Sequence, residues 1–447
     1  MRKKYYIQTF GCQMNVRDSE QIAVLLKGAG YECTGHAQKA DLIILNTCSI
    51  REKAAQKVYS QLGRYKDIKR ENPRLIIGIG GCLAQQWGEK FFKKVPYLDL
   101  VFGTHNIHRL PELINKVEAT SLPVADTAFH GASSSIGIHA LPPDGQVTAY
   151  VTIMQGCNNY CSYCVVPYLR GPEESRAPGD IRTEVESLAR HGIREVTLLG
   201  QNVNSYGSTI NNGTDFAGLL REIAGVAGIE RIRFTTSHPK DLSPTLMQCF
   251  AEIDKLCEHI HLPVQSGSDK LLKAMNRGYT KRDYLEKIAG LRAACPDISI
   301  TSDFIVGFPG ETEDDFQETI DLMENIRFDN LFSFKYSERE GTAAVKFENK
   351  VTEHIKGERL QILQSLQEKH TLEKNRAMVG QVVKVLVEGR SKNSTGEVMG
   401  RTRNNKIVNF QGSIELAGKT VSVVITEAYL HSLHGEPPSK KESDSCS

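Results

Sequence analysis

The sequence predicts a mixed α/β protein of three successive units: an amino-terminal parallel α/β domain, a central partial (β/α)6 barrel and a small carboxyl-terminal all-β barrel. Three observations predict it. Short apolar runs alternate with charged amphipathic stretches from the amino terminus to about residue 335. Six strand–helix units follow one another after residue 146, and the pattern switches to a period of two after residue 376. A chain of 447 residues is also too long for one average domain.

In the first unit, residues 1–122, strands are expected at 4–10, 41–46 and 75–80, with helices between them. The mixture of Pro, Gly and the run Ser133-Ser134-Ser135 over residues 123–143 reads as a linker. In the second unit, residues 144–375, strands are expected at 147–154, 195–199, 231–235, 259–262, 299–306 and near 331–335. Amphipathic helices at 180–190, 216–227 and 281–294 separate them, and six units instead of eight imply an open barrel. A long polar helix at 353–374 leads out of it. The last unit, residues 376–436, carries period-two strands at 382–387, 407–410 and 421–426, and the polar tail 437–447 is expected to be disordered.

With 40% apolar and 24% charged residues and a net charge of +2, the composition is that of an ordinary soluble protein and points to no partner by charge. Met1-Arg2-Lys3-Lys4 runs directly into a strand, and no apolar run has membrane-spanning length, so a cytoplasmic protein with no membrane association is expected. Eleven cysteines in such a chain argue for metal binding or chemistry over disulfides. Six of them fall into two triads; Cys33, Cys249, Cys257, Cys295 and Cys446 fit no pattern.

Cys157-Asn158-Asn159-Tyr160-Cys161-Ser162-Tyr163-Cys164 directly follows the first barrel strand, which puts three thiols on one loop at the mouth where barrels hold their active sites. Three close cysteines can ligate three irons of a cubane cluster and leave the fourth open to a substrate; a zinc site lacking a nearby fourth ligand, or coincidence, is the plainer alternative. Cys12, Cys48 and Cys82 are far apart, yet each lies just past the carboxyl end of an expected strand. In a parallel sheet those ends share one edge, so these thiols can converge on a second cluster. Each taken alone would more often be a small buried apolar residue.

Other barrel strand ends carry small or amide-bearing residues suited to a polar cofactor: Gly200-Gln201-Asn202, Ser237-His238-Pro239, Pro263-Val264-Gln265-Ser266-Gly267-Ser268 and Gly307-Phe308-Pro309-Gly310-Glu311. Ordinary turns use the same residues. In the last unit, Gly400-Arg401-Thr402-Arg403-Asn404-Asn405-Lys406 is a basic loop before an apolar strand, in a domain with eight Lys or Arg against five Glu. A solvated surface gives the same pattern.

The loop spacing of Cys157, Cys161 and Cys164 resembles the radical-SAM signature. The amino-terminal triad, with Gln8-Thr9-Phe10-Gly11-Cys12-Gln13-Met14-Asn15, resembles the methylthiotransferase branch of that family. Asn46-Thr47-Cys48-Ser49-Ile50-Arg51-Glu52-Lys53-Ala54 and Val165-Val166-Pro167-Tyr168-Leu169-Arg170-Gly171 are most similar to its tRNA-modifying members. The last unit resembles the TRAM domain, a small RNA-binding barrel.

The resemblance implies two [4Fe-4S] clusters, one on each triad, and S-adenosylmethionine (SAM) cleaved to a 5′-deoxyadenosyl radical at the loop triad. SAM contacts are expected at Gly200, Gln201, Asn202, Ser237 and Gln265, and tRNA contacts at Arg401, Arg403 and Lys406. It implies insertion of a methylthio group at carbon 2 of N6-isopentenyladenosine beside the anticodon, with an electron donor such as flavodoxin or ferredoxin and a monomeric enzyme. No protein general base is assigned. Relatives acting on threonylcarbamoyladenosine or on a ribosomal-protein aspartate share both triads. A nonenzymatic iron–sulfur RNA-binding regulator would explain the cysteines and the basic loop, but not the rim of strand-end motifs.

Overall fold

The computed structural model describes residues 2–48, 52–129, 137–143, 145–210, 213–392, 394 and 396–438. Ser49, Ile50 and Arg51, the Ser133-Ser134-Ser135 run, Cys446 and most of the expected tail lie outside the described residues, as do the side chains of Glu52, Lys53 and Ala54.

The amino-terminal sheet has strands β1 Lys4–Thr9, β2 Glu32–Cys33, β3 Leu42–Thr47, β4 Ile76–Gly81, β5 Leu100–Phe102 and β6 Val124–Asp126, all parallel, in the order β2-β1-β3-β4-β5-β6. Its helices are α1 Gln13–Gly28, α2 Glu52–Glu71, α3 Cys82–Trp87, α4 Lys90–Lys94 and α5 Leu110–Thr120. Every residue of β3 and β4 is buried, because helices cover both faces of a parallel sheet. Leu42 and Ile44 face Ile22, Leu26 and Leu113 of α1 and α5, while Ile43 and Leu45 face Val58, Leu62 and Leu83 of α2 and α3. Strands β2, β5 and β6 have two or three residues each, too few to show a period. β6 also corrects the expected linker. Val124–Asp126 pairs with Leu100–Phe102, and Asn106 Nδ2 donates to Asp126 at 2.8 Å, so the sheet extends past residue 122.

The central strands are β7 Thr148–Thr152, β8 Met154–Gln155, β9 Glu174–Ser175, β10 Glu195–Leu199, β11 Arg231–Thr235, β12 His259–His261, β13 Ser299–Val306 and β14 Asn330–Lys335. Apart from the small β8–β9 pair they form two parallel sheets, β7-β10-β11 and β12-β13-β14, so six strands make an open arc in chain order. The helices are α6 Val166–Arg170, α7 Pro178–Arg190, α8 Phe216–Ala224, α9 Pro244–Glu252, α10 Asp269–Ala274, α11 Lys281–Ala294, α12 Glu313–Ile326 and α13 Glu353–Arg376. Side chains of Asp215, Ser243, Ser268, Thr280, Thr312 and Thr352 accept from backbone N–H groups at the starts of six of them. Each such cap stabilises its helix by about 1 kcal/mol.

The last domain is a closed barrel of β15 Val382–Arg390, β16 Glu397–Thr402, β17 Ile407–Gln411, β18 Thr420–Ala428 and β19 Leu433–Glu436, in the order β15-β16-β17-β19-β18. Val385, Val387, Val398, Val408, Phe410, Val423, Ile425 and Leu433 fill it. β16 escapes the sequence pattern because two of its three buried positions, Gly400 and Thr402, are not apolar side chains. Among the described residues, no helix is long and apolar enough to cross a membrane.

Candidate active site: two cysteine triads

The amino-terminal triad is assembled by strand register. Thr47 of β3 pairs with Gly81 of β4, so Cys48 and Cys82 leave adjacent strands side by side. Thr9 of β1 pairs with Asn46, and Cys12 caps α1 just beyond. Asn15 locks the arrangement from beneath. Its Nδ2 donates to Asn46 Oδ1 (3.2 Å) and to the Thr47 carbonyl (3.3 Å), and Asn46 Nδ2 donates back to the Asn15 carbonyl (2.8 Å). Both asparagines are fully buried. Two glycines let the backbones approach: a Cβ on Gly11 would lie 2.7 Å from Cys48 Cβ, and Gly81 holds φ +88° against the Thr47 backbone.

The loop triad is local. Cys157 N–H donates to the Gly171 carbonyl (3.2 Å) and Cys164 N–H to the Cys161 carbonyl (2.9 Å), while Ser162 bonds Met275 and Ala344 through its backbone. Arg277, buried, donates to Cys161 Sγ at 3.4 Å, to Tyr163 Oη at 3.3 Å and to the Pro263 carbonyl at 2.6 Å. Burial pushes the Cys157 thiol up to about 11 and the Cys164 thiol to about 12, with the charge of Cys161 adding to both. Ligation must therefore displace protons from these thiols. Burial, with Arg277 and Lys240, holds His238 down to about 2, so the imidazole 4.0 Å from Cys161 Sγ is neutral.

Among the described residues, no three of His, Cys, Asp and Glu meet closely enough to hold one metal ion. Thiolates on three corners of a cubane sit on different irons and stand further apart than ligands of a single ion. Three sulfur donors in each triad fit a cluster with one free iron.

The expected SAM residues divide by role. Gly200 is a packing position, where a Cβ would press on Met154 Cγ at 2.5 Å. Gln201 Oε1 accepts from Gly156 N–H at 2.6 Å and braces the cysteine loop. Asn202 is spent on Asp241 (2.7 Å) and the His238 N–H (3.1 Å), tying the second strand end to the third. Ser237 keeps a buried hydroxyl with no hydrogen-bond partner among the described residues, and Gln265 sits at φ +77°. These last two are the members left with open bonding capacity or an enforced backbone shape.

The expected tRNA cations face the barrel. Arg403 is held by Glu258 at 2.6–2.9 Å, Arg401 Nε lies 3.1 Å from Glu388, and Lys406 Nζ lies 3.7 Å from Asp329. Arg231 donates to the Arg401 carbonyl (2.7 Å), and Arg233 to the carbonyls of Thr402 (2.7 Å) and Arg403 (2.8 Å). Glu258, Asp329 and Arg231 precede or open β12, β14 and β11 and Arg233 lies within β11, toward the end of the arc opposite the cysteine loop, whereas Glu388 belongs to β15 of the last domain itself. The basic loop is thus a seam between domains.

Sequence reasoning missed the concave face of the arc. The register pairs Asp303 with Phe332 and Ile305 with Phe334, which puts all four on the face away from the helices. Phe332 is 52% and Phe334 39% exposed in a domain whose other phenylalanines are mostly buried. His261 meets Phe332 edge-on and lies 3.4 Å from Asp303. Only the alternation of the last strand could have signalled this. Arg277 gave no sequence signal at all.

Family models match this chain at residues 4–103 (Uncharacterized protein family UPF0004), 151–323 (Radical SAM superfamily) and 376–437 (TRAM domain). The chain is 64% identical over 435 residues to the tRNA-2-methylthio-N(6)-dimethylallyladenosine synthase of Syntrophus aciditrophicus, covering 97% of this chain and 94% of that one. The chain belongs to the tRNA-2-methylthio-N(6)-dimethylallyladenosine synthase family. Synthases of the same name from Geobacter metallireducens and Acetivibrio thermocellus are 54% and 48% identical, each over 97% of this chain and over 98% and 91% of their own lengths. Among solved structures, the radical SAM methyltransferase TsrM from Kitasatospora setae, with tryptophan and a SAM analogue bound, superposes with a TM-score of 0.57 at 13% identity, covering 74% of this synthase and 73% of that chain. The cobalamin-dependent radical enzyme OxsB gives 0.53 at 15% identity, covering 83% and 56%. At such identities the likeness shows the fold.

Proposed function

We propose that this synthase inserts a methylthio group into N6-isopentenyladenosine beside the anticodon of tRNA. The observation that carries the reading is the pairing of two cysteine triads, each at the carboxyl edge of a parallel sheet, in a chain that matches the named synthases over nearly its whole length. Cys157, Cys161 and Cys164 would hold one cluster, and Cys12, Cys48 and Cys82 the other. When bound, the clusters supply radical cleavage of SAM at the first and sulfur at the second.

The chain's own residues then orient and exclude. Arg277 closes the loop triad from below, Gln201 fixes the loop's entry, and the free Ser237 hydroxyl is the proposed donor to SAM. Phe332, Phe334 and Ile305 offer an apolar surface to the base and its isopentenyl tail, and Asp303 a hydrogen-bond acceptor. A small electron-transfer protein such as flavodoxin or ferredoxin is the proposed reductant, the cytoplasm the proposed compartment and a monomer the proposed state.

The test is anaerobic turnover on tRNA carrying N6-isopentenyladenosine, read by mass spectrometry of nucleosides, with tRNA carrying threonylcarbamoyladenosine in parallel. Phe332→Ala should raise KM for tRNA about tenfold, the scale of one lost stacking contact of about 1–3 kcal/mol. Product on the threonylcarbamoyl substrate alone would move the chain to the sister activity. No product on either, with both clusters bound, would sink the reading.

A further inference from the structure

The short helix α6 lies between the two triads. It begins two residues after Cys164, and Gly171 beyond its end accepts from Cys157 N–H, so both ends belong to the loop triad. Tyr168 meets Tyr160 of that loop edge-on, while Leu169 and Arg170 turn to the amino-terminal domain. Val165 and Leu169 pack on Cys82. The carbonyls of Leu169 and Arg170 accept from Thr104 Oγ1 (2.8 Å) and His105 Nε2 (2.9 Å). The Arg170 guanidinium reaches both oxygens of Asp18 on α1, at 2.6 and 3.4 Å.

Arg170 is 3% and Asp18 5% exposed. A buried ion pair is poor evidence of a stability device, since well-packed apolar groups often serve as well. Its location offers another reason. Leu169, the residue before Arg170, packs on Cys82, and Asp18, which the guanidinium grips, lies on the helix that Cys12 caps. α6 therefore touches both triads, and its last side chain brings a fixed positive charge to the amino-terminal one.

We propose that Arg170 is a positioning residue: Asp18 holds its guanidinium against the amino-terminal triad, where its charge raises the potential at which a cluster there is reduced, while α6 fixes that triad's place relative to the loop triad. The inference rests on reading Cys12, Cys48 and Cys82 as cluster ligands. A nearby cation favours the more negative, reduced state, and a buried carboxylate opposes it.

The experiment is a potentiometric titration, followed by electron paramagnetic resonance, of full-length reconstituted protein. Arg170→Gln should lower the auxiliary potential, and Asp18→Asn should raise it, each leaving the potential of the loop cluster in place. Arg170→Lys, which keeps the charge, should return the auxiliary potential toward that of the unmodified protein. A residue that only supports the fold would shift neither potential, or would shift both variants the same way, and either result overturns the proposal. If Arg170→Gln fails to assemble, Asp18→Asn, isosteric and uncharged, decides alone: an unchanged or lowered potential sinks the idea. Unmodified protein with a single cluster would overturn the ligand reading too, whereas two clusters with unmoved potentials would overturn only the role of Arg170.

Discussion

The loop triad and the amino-terminal triad present the same three thiols by opposite means. Cys157, Cys161 and Cys164 are brought together by eight consecutive residues and two backbone hydrogen bonds close by. Cys12, Cys48 and Cys82 span seventy-one residues and meet because three parallel strands end in register and Asn15 and Asn46 hold those ends together. The difference teaches that a local site tolerates perturbation of the sheet that carries it, while a register-built site does not.

The sharpest way to break this comparison is to remove one thiol from each triad. Cys161→Ala should abolish 5′-deoxyadenosine formation. Cys48→Ala should leave it measurable and abolish methylthiolated tRNA, with bound iron falling from about eight to about four. Methylthiolated tRNA at near wild-type yield from Cys48→Ala would make the triads' proposed division of labour wrong.

A middle-sized effect is expected from the lock. Asn46→Ala removes its three hydrogen bonds, to the Asn15 amide, the Asn15 carbonyl and the Ser19 hydroxyl, at about 1 kcal/mol each, while Asn15 keeps Thr47 and Ser19 keeps Thr9. It should deplete the amino-terminal cluster selectively, read as iron and sulfide content in each cluster's spectroscopic signal. Equal loss from both triads would show that the lock supports the whole protein and not the register.

The smallest effect concerns the seam. Arg403→Ala removes a partly exposed pair with Glu258, with side chains 27% and 28% exposed, and such pairs contribute about 0–1 kcal/mol. Melting temperature should fall by a few degrees at most, and the salt dependence of tRNA binding should stay as it is. A flatter salt dependence would return this arginine to the phosphate contacts that its sequence first suggested.

How much was legible beforehand follows from the same contrast. The sequence by itself determined the three-unit architecture, because alternation at periods of two and 3.6 reports which residues face a core. It determined the loop triad, because eight residues cannot place three cysteines far apart. It also determined that Cys12, Cys48 and Cys82 each follow a strand, since the apolar runs before them are plain. Only the tertiary structure decided that β3 and β4 pair with Thr47 beside Gly81, that Arg170 reaches Asp18 and that the cations from Arg401 to Lys406 turn toward Glu388, Glu258 and Asp329. The physical reason is that periodicity fixes the face a side chain presents but not its partner. Partners across 152 residues, as for Asp18 and Arg170, are chosen by packing of whole domains and leave no mark in either local stretch.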